Sequence, residues 1–164
     1  MTVIYRIGNA VSAVIDGEVD VLLHCANCQG VMGSGIAAEI AERIPAARQV
    51  DSEYASALGY SQRMLGTLSM AHVNGKGSGR VMNLYGQFKP CTTKRAVDYG
   101  AIATAMMLAK TKIDILDMIA IPYKMGCDRA GGNWEVVLEL IKFIFKDHLV
   151  VIYSLDGIVT DAPA

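Results

Sequence analysis

The sequence predicts an α/β fold, a mixed sheet of about six strands covered by helices on both faces. Three observations predict it. Short apolar runs bounded by turn residues alternate with longer segments of helical periodicity. Two junctions, at residues 19–44 and 118–146, share one form: strand, glycine-rich loop, helix. At 164 residues with 52% hydrophobic content, the chain is long and apolar enough to build one core without disulfide or metal staples.

The first strand is read at residues 2–6, where weak alternation stops at Gly8 and Asn9. Asp16 and Gly17 turn the chain into a buried strand at 19–25. Glycines 30, 33 and 35 follow, then an amphipathic helix at 36–44 and a second, with a charged outer face, at 48–58. Strands at 65–73 and 80–85 flank a glycine-rich linker and read as a hairpin with an extended loop. Residues 97–112 form a helix with Ile102, Met106 and Ala109 on one side. A strand at 117–122, a helix at 134–146 and a strand at 149–154 complete the domain, read as 1–157 with a loose tail at 158–164. Trp134 is expected to pack the start of the last helix against the sheet.

Composition narrows the function. A formal net charge of −1 gives no general attraction to nucleic acid or anionic membrane. No apolar run approaches 18 residues, and the N-terminus has no basic region followed by an apolar core. The expectation is a soluble, cytoplasmic monomer whose partner is a small molecule. Cys25 and Cys28 form a CxxC, but no second pair completes a zinc site, so they are expected to be reduced thiols. Neither a metal nor an organic cofactor is implied.

The two glycine-rich loops carry the chemistry. Glycine lets backbone N–H groups approach a ligand closely, and a helix N-terminus just behind favours negative charge. Gly30-Val-Met-Gly-Ser-Gly is neither GxGxxG nor GxxxxGK[ST]. In an open α/β sheet, ligands sit at the carboxyl ends of the strands, so both loops can grip one anionic ligand.

Together the segments HCANCQGVMGSGIA from His24, VMNLYGQ from Val81, AIPYKMGC from Ala120, AGGNWE from Ala130 and VVIY ending at Tyr153 resemble a macrodomain, in order and over nearly the whole chain. The resemblance is to the small stand-alone branch of ADP-ribose-1''-phosphate phosphatases, terminal ADP-ribose protein glutamate hydrolases, and phage and bacterial relatives. It implies a three-layer α/β/α domain. Gly33, Ser34, Gly35 and Ile36 would hold a diphosphate from one side. Gly126, Cys127, Asp128, Arg129, Ala130 and Gly131 would hold it from the other. Asn27 would face the distal ribose, its residue type also suiting an Asx turn that only shapes the loop. Asn9, followed by Ala10, stands where many macrodomains place an aspartate that accepts from the adenine amino group. Tyr153 would lend its ring to the adenine or proximal-ribose side, or to the core.

The activity implied is release of phosphate from ADP-ribose 1''-phosphate, with Asn27 orienting the ribose and His24 or Asp128 assisting proton transfer. His24 also suits a satisfied core position. Two departures qualify the resemblance. The lysine and aspartate of the glutamate hydrolases fall near Gln87 (with Lys89 poorly aligned) and on Ala130, and Asp128 stands where relatives have glycine. Removal of ADP-ribose from protein or nucleic acid, and ADP-ribose reading without turnover, are the alternatives.

Overall fold

In the computed structural model, residues 2–74, 79–90, 95–127 and 130–156 are described. Six strands, β1 (Thr2–Ile7), β2 (Val21–Asn27), β3 (Leu68–His72), β4 (Arg80–Gln87), β5 (Met118–Pro122) and β6 (Leu149–Ser154), form one sheet in the order β1-β6-β5-β2-β4-β3. All neighbours are parallel except β3 and β4. Among the described residues five α-helices, α1 (Ala10–Ile15), α2 (Gly35–Arg43), α3 (Pro45–Ala57), α4 (Tyr99–Lys110) and α5 (Trp134–Ile144), cover it. The expected mixed α/β/α architecture is what the chain forms.

Strand parity separates the two cores. Val21 and Leu23 of β2 face α4 and α5, packing with Ile102, Met106, Trp134 and Ile141. Leu22 points the other way, to Val11, Val14, Ile40 and Ile44. Strands sandwiched by helices are apolar on both faces, which is why β4 reads as a continuous buried run rather than alternating. Trp134 is 5% exposed and sits in the first of these cores.

One helix escaped the sequence reading. The six residues of α1 start directly after β1, and four of them are buried. A segment so short and apolar nearly all round shows no 3.6-residue periodicity. Its signal was the cap: Asn9 Oδ1 accepts from Ser12 N at 2.9 Å. The linker at 75–78 and the tail at 157–164 lie outside the described residues.

A chain of buried polar groups crosses from β2 to α3. His24 Nε2 meets Asn83 Oδ1 at 2.5 Å, and Asn83 Nδ2 donates to Ser69 Oγ at 3.0 Å and to Ala47 O at 3.2 Å. The hydroxyls of Ser69 and Tyr85 lie 2.7 Å apart, and Tyr85 donates to Asp51 Oδ1 at 2.8 Å. An amide oxygen only accepts, so His24 carries its proton on Nε2. Burial holds its pKa below the usual imidazole value, partly offset by the Asn83 bond. This corrects the expectation that His24 transfers protons at a ligand site. It shares the face of Leu22, is fully buried, and ties β2 to β4.

The topology itself opens a crevice. The chain leaves β2 through α2 and α3 toward β3 and β4, and leaves β5 through α5 toward β6, on the other side. The adjacent strands β2 and β5 therefore flank a switch point. Their ladder covers only Val21 with Ile119 and Leu22 with Ala120, and stops well below the carboxyl end of β2.

Candidate functional site

A cavity of about 1050 Å³ lies over that switch point, large enough for a dinucleotide-sized ligand. Following the strand order, its lining runs from Gly8, Asn9, Tyr153 and Leu155 at the β1–β6 end, through Tyr123 to Cys127 and Ala130 after β5, then Asn27 and Val31 to Gly35 after β2, to Gln87 and Pro90 after β4. Five neighbouring strands at roughly 4.8 Å spacing give a trough of about 19 Å.

The first loop is shaped by Asn27. Its Oδ1 accepts from Gln29 N at 2.9 Å, and its Nδ2 donates to Val31 O at 2.8 Å. Both ends of the amide thus build the turn while the side chain also lines the cavity. Gly35 opens α2 with φ of 58°, a backbone that side chains rarely adopt. Ser34 occupies the N-cap position, and its hydroxyl makes no capping bond. The first N–H groups of the helix and this hydroxyl are therefore available to an anion.

The second loop is anchored from behind. Ala130 O accepts from Ala96 N at 2.7 Å and Val97 N at 3.1 Å, and Gly132 N donates to Gly126 O at 3.0 Å. A Cβ on Gly132 would lie 2.7 Å from that same Gly126 oxygen, so only glycine permits this closure. Lys124 is left-handed, with φ of 61°, in a turn closed by Met125 N to Pro122 O at 3.0 Å. Asp128 and Arg129, both expected site residues, lie outside the described residues.

The structure brings Asn9, Ala10, Asn27, Gly33, Ser34, Gly35, Ile36, Gly126, Cys127, Ala130 and Tyr153 to the cavity wall. Gly131 does not line it and instead holds a left-handed turn behind Ala130, with φ of 69°. Gln87 and Ala130 both line the cavity, so where the glutamate hydrolases would place lysine and aspartate the wall carries an amide and a methyl group. Lys89 instead lies over the Phe88 ring, 5.8 Å from its centroid.

Sequence reasoning missed Glu39 and Lys124, which both line the cavity. Glu39 had a signal, since it stands one helical turn after Gly35. Lys124 is the sole cationic side chain among the described lining residues. The thiols are quiet. Burial pushes Cys25 up to about 12 and Cys28 up to about 11, so both stay protonated near neutrality. Cys127 Sγ donates to Met125 O at 3.4 Å. Among the described residues no group of three or more His, Cys, Asp or Glu is placed to hold a metal ion, and no helix is long and apolar enough to cross a membrane.

The fold and cleft define a class: a three-layer α/β/α domain with paired glycine loops over the switch point of a six-stranded sheet. Solved structures give that class its name. The macrodomain of Mycobacterium tuberculosis DarG superposes with a TM-score of 0.71 at 21% identity, over 93% of this chain and 97% of that one. A macrodomain protein from Streptomyces coelicolor gives 0.72 at 22%, over 93% and 99%. Thermosipho africanus DarTG, solved in complex with ADP-ribose, gives 0.71 at 15%, over 96% of this chain and 43% of that one. The chain has the macrodomain fold. No protein-family model and no curated protein matches it.

Proposed function

We propose that the cavity binds ADP-ribose or a close derivative, with the diphosphate between the two glycine loops. The observation that carries the reading is the order of chemistry along the trough. At the β1 and β6 end, Tyr153, Ala10 and Leu155 give an apolar wall that suits a flat base, with the polar Asn9, Ser154 and Asp156 beside it. The open N-terminus of α2 in the first loop, faced by the close backbone of Gly126 and Ala130 in the second, occupies the middle. Two carboxamides, Asn27 and Gln87, stand toward the far end and suit the paired hydroxyls of a ribose. The likeness to a structure holding ADP-ribose supports the same ligand. Calorimetry tests it: ADP-ribose is expected to bind with a Kd in the micromolar range, about −8 kcal/mol, and AMP far more weakly. No binding at millimolar ADP-ribose would remove the reading.

Lys124 gives a separate prediction. A non-glycine residue in a left-handed turn costs of order 1 kcal/mol, and such strain gathers at functional sites. Lys124→Gly relieves it and deletes the cation. The expected result is a thermal midpoint that does not fall, with a Kd for ADP-ribose raised several-fold and less sensitive to salt. Unchanged affinity would place the ammonium away from the ligand.

For turnover we propose hydrolysis of ADP-ribose 1''-phosphate. Water attacks phosphorus, the bond from phosphorus to the 1''-oxygen breaks, and that oxygen takes up a proton to leave ADP-ribose and inorganic phosphate. Loop N–H groups hold the phosphoryl oxygens, Asn27 positions the ribose, and Asp128 is the proposed acceptor of the proton from water. Asn27→Ala is expected to lower phosphate release by roughly 10²-fold or more, about 3 kcal/mol of barrier. Because it also unties the turn from Gln29 to Val31, ADP-ribose affinity falls too, by less. A second reading, a reader without turnover, is favoured by one observation: among the described residues at the β4 end, the wall carries amides and apolar groups and no titratable base. Phosphate release by the wild type decides between them, and assays on ADP-ribosylated protein and DNA cover the remaining hydrolase alternative.

A further inference from the structure

We infer that Glu39 selects the base, its free carboxylate oxygen accepting a hydrogen bond from the exocyclic amino group of adenine at the β1–β6 end of the cleft. The inference rests on the reading of the cavity as an ADP-ribose site and names the residue that sets its base specificity.

The carboxylate of Glu39 is held in one orientation. Asn9 Nδ2 donates to Oε2 at 2.7 Å, and Arg43 donates to the same oxygen at 3.0 Å. Each donor is itself fixed. Asn9 Oδ1 caps α1 through Ser12 N, and the same Arg43 nitrogen that holds Glu39 also donates to Ser12 Oγ at 2.9 Å. Both donors fall on one oxygen, and Oε1 carries no hydrogen bond among the described residues. The side chain lines the cavity and is 31% exposed, so Oε1 presents an anchored acceptor to whatever lies there.

The surroundings say what fits. Gly8 lies flat against the Tyr153 ring, a Cβ there standing 3.5 Å from two ring carbons. Ala10 and Leu155 add apolar wall beside it. A flat heterocycle with a hydrogen-bond donor at its edge matches these apolar walls and the anchored carboxylate of Glu39; Asp156, which also lines the cavity, has Oδ1 engaged by Ser154 Oγ at 2.8 Å. A base with a carbonyl oxygen at that edge meets lone pairs with lone pairs. Asn9 cannot take over this role, because its nitrogen points at Glu39 and its oxygen is engaged by the helix cap. It serves as a positioning residue, and the accepting charge belongs to Glu39.

Glu39→Gln converts this into a change of specificity. Asn9 and Arg43 are both donors, so they retain the amide oxygen at the Oε2 position and turn the amide nitrogen toward the ligand. The site then donates where it formerly accepted. Calorimetry compares ADP-ribose with inosine diphosphate ribose, which puts a carbonyl oxygen where adenine has its amino group and a proton on the adjacent N1, so that the acceptor stands at the exocyclic position. The wild type is expected to prefer ADP-ribose by at least about 10-fold, the order of one hydrogen bond to a charged group in a partly exposed site. In Glu39→Gln the ratio is expected to fall to near one or invert. Glu39→Ala is expected to weaken ADP-ribose and leave inosine diphosphate ribose as tight or tighter. A merely structural role would weaken both ligands equally and leave the ratio at the wild-type value, which would overturn the inference. So would a wild type that binds both ligands alike, although the ADP-ribose reading would then stand. A wild type that binds neither ligand would end both.

Discussion

Gly35→Glu is expected to abolish ADP-ribose binding in a protein that still folds. The glycine opens α2 with a left-handed backbone, in the lining of the cavity and at the positive end of the helix. A glutamate there acts in two ways. Its backbone strain costs roughly 1–2 kcal/mol, which a domain stable by about 5–15 kcal/mol tolerates. Its carboxylate enters the space proposed for the diphosphate, is expected to satisfy the helix N–H groups itself and would repel that ligand. A loss of at least about 10³-fold, roughly 4 kcal/mol, is expected in titrations reaching millimolar ligand. Gly35→Ala carries the strain without the charge and is expected to fall between. Micromolar affinity in a folded Gly35→Glu protein would mean that the diphosphate does not lie against α2.

Asn83→Ala has the opposite profile, a large loss of stability with little effect on the site. Asn83 is fully buried at the centre of the polar chain between β2 and α3. Truncation leaves the Nε2 proton of His24 and the Ala47 carbonyl without their partner, and opens a cavity in a close-packed interior. An orphaned buried donor or acceptor costs roughly 1–3 kcal/mol, so a total of about 3–5 kcal/mol is expected from denaturant midpoints. The ADP-ribose affinity of the folded fraction is expected to stay at the wild-type value, because neither Asn83 nor His24 lines the cavity. A loss below about 1 kcal/mol would show that water or a shifted side chain takes over the pairing.

Much of the fold and about half of the site were visible in the residues. Strand parity and length gave six strands and four of the five described helices. The two strand–glycine–helix junctions located the loops that line the cavity, because each is a local device that depends on residues next to one another. Asn27, Gly33, Gly35 and Gly126 reach the cavity for that reason. At the same point in the chain, His24 suited both proton transfer and a core position, and the structure makes it a core residue. Alternation along β2 puts it on a face, but whether that face meets ligand or protein depends on Asn83, 59 residues away.

The sequence by itself determined the layer architecture and the place of the two glycine-rich loops at strand ends. Those properties follow from composition, period and neighbouring residues. Only the tertiary structure decided which polar groups have partners already. It spends His24 in the interior, ties Asn27 into its own turn, turns Asn9 toward Glu39 across 30 residues and brings Glu39 to the cavity wall. The physical reason is that a hydrogen bond is set by distance and direction. Sheet order, crossovers and register fix those between residues far apart in the chain.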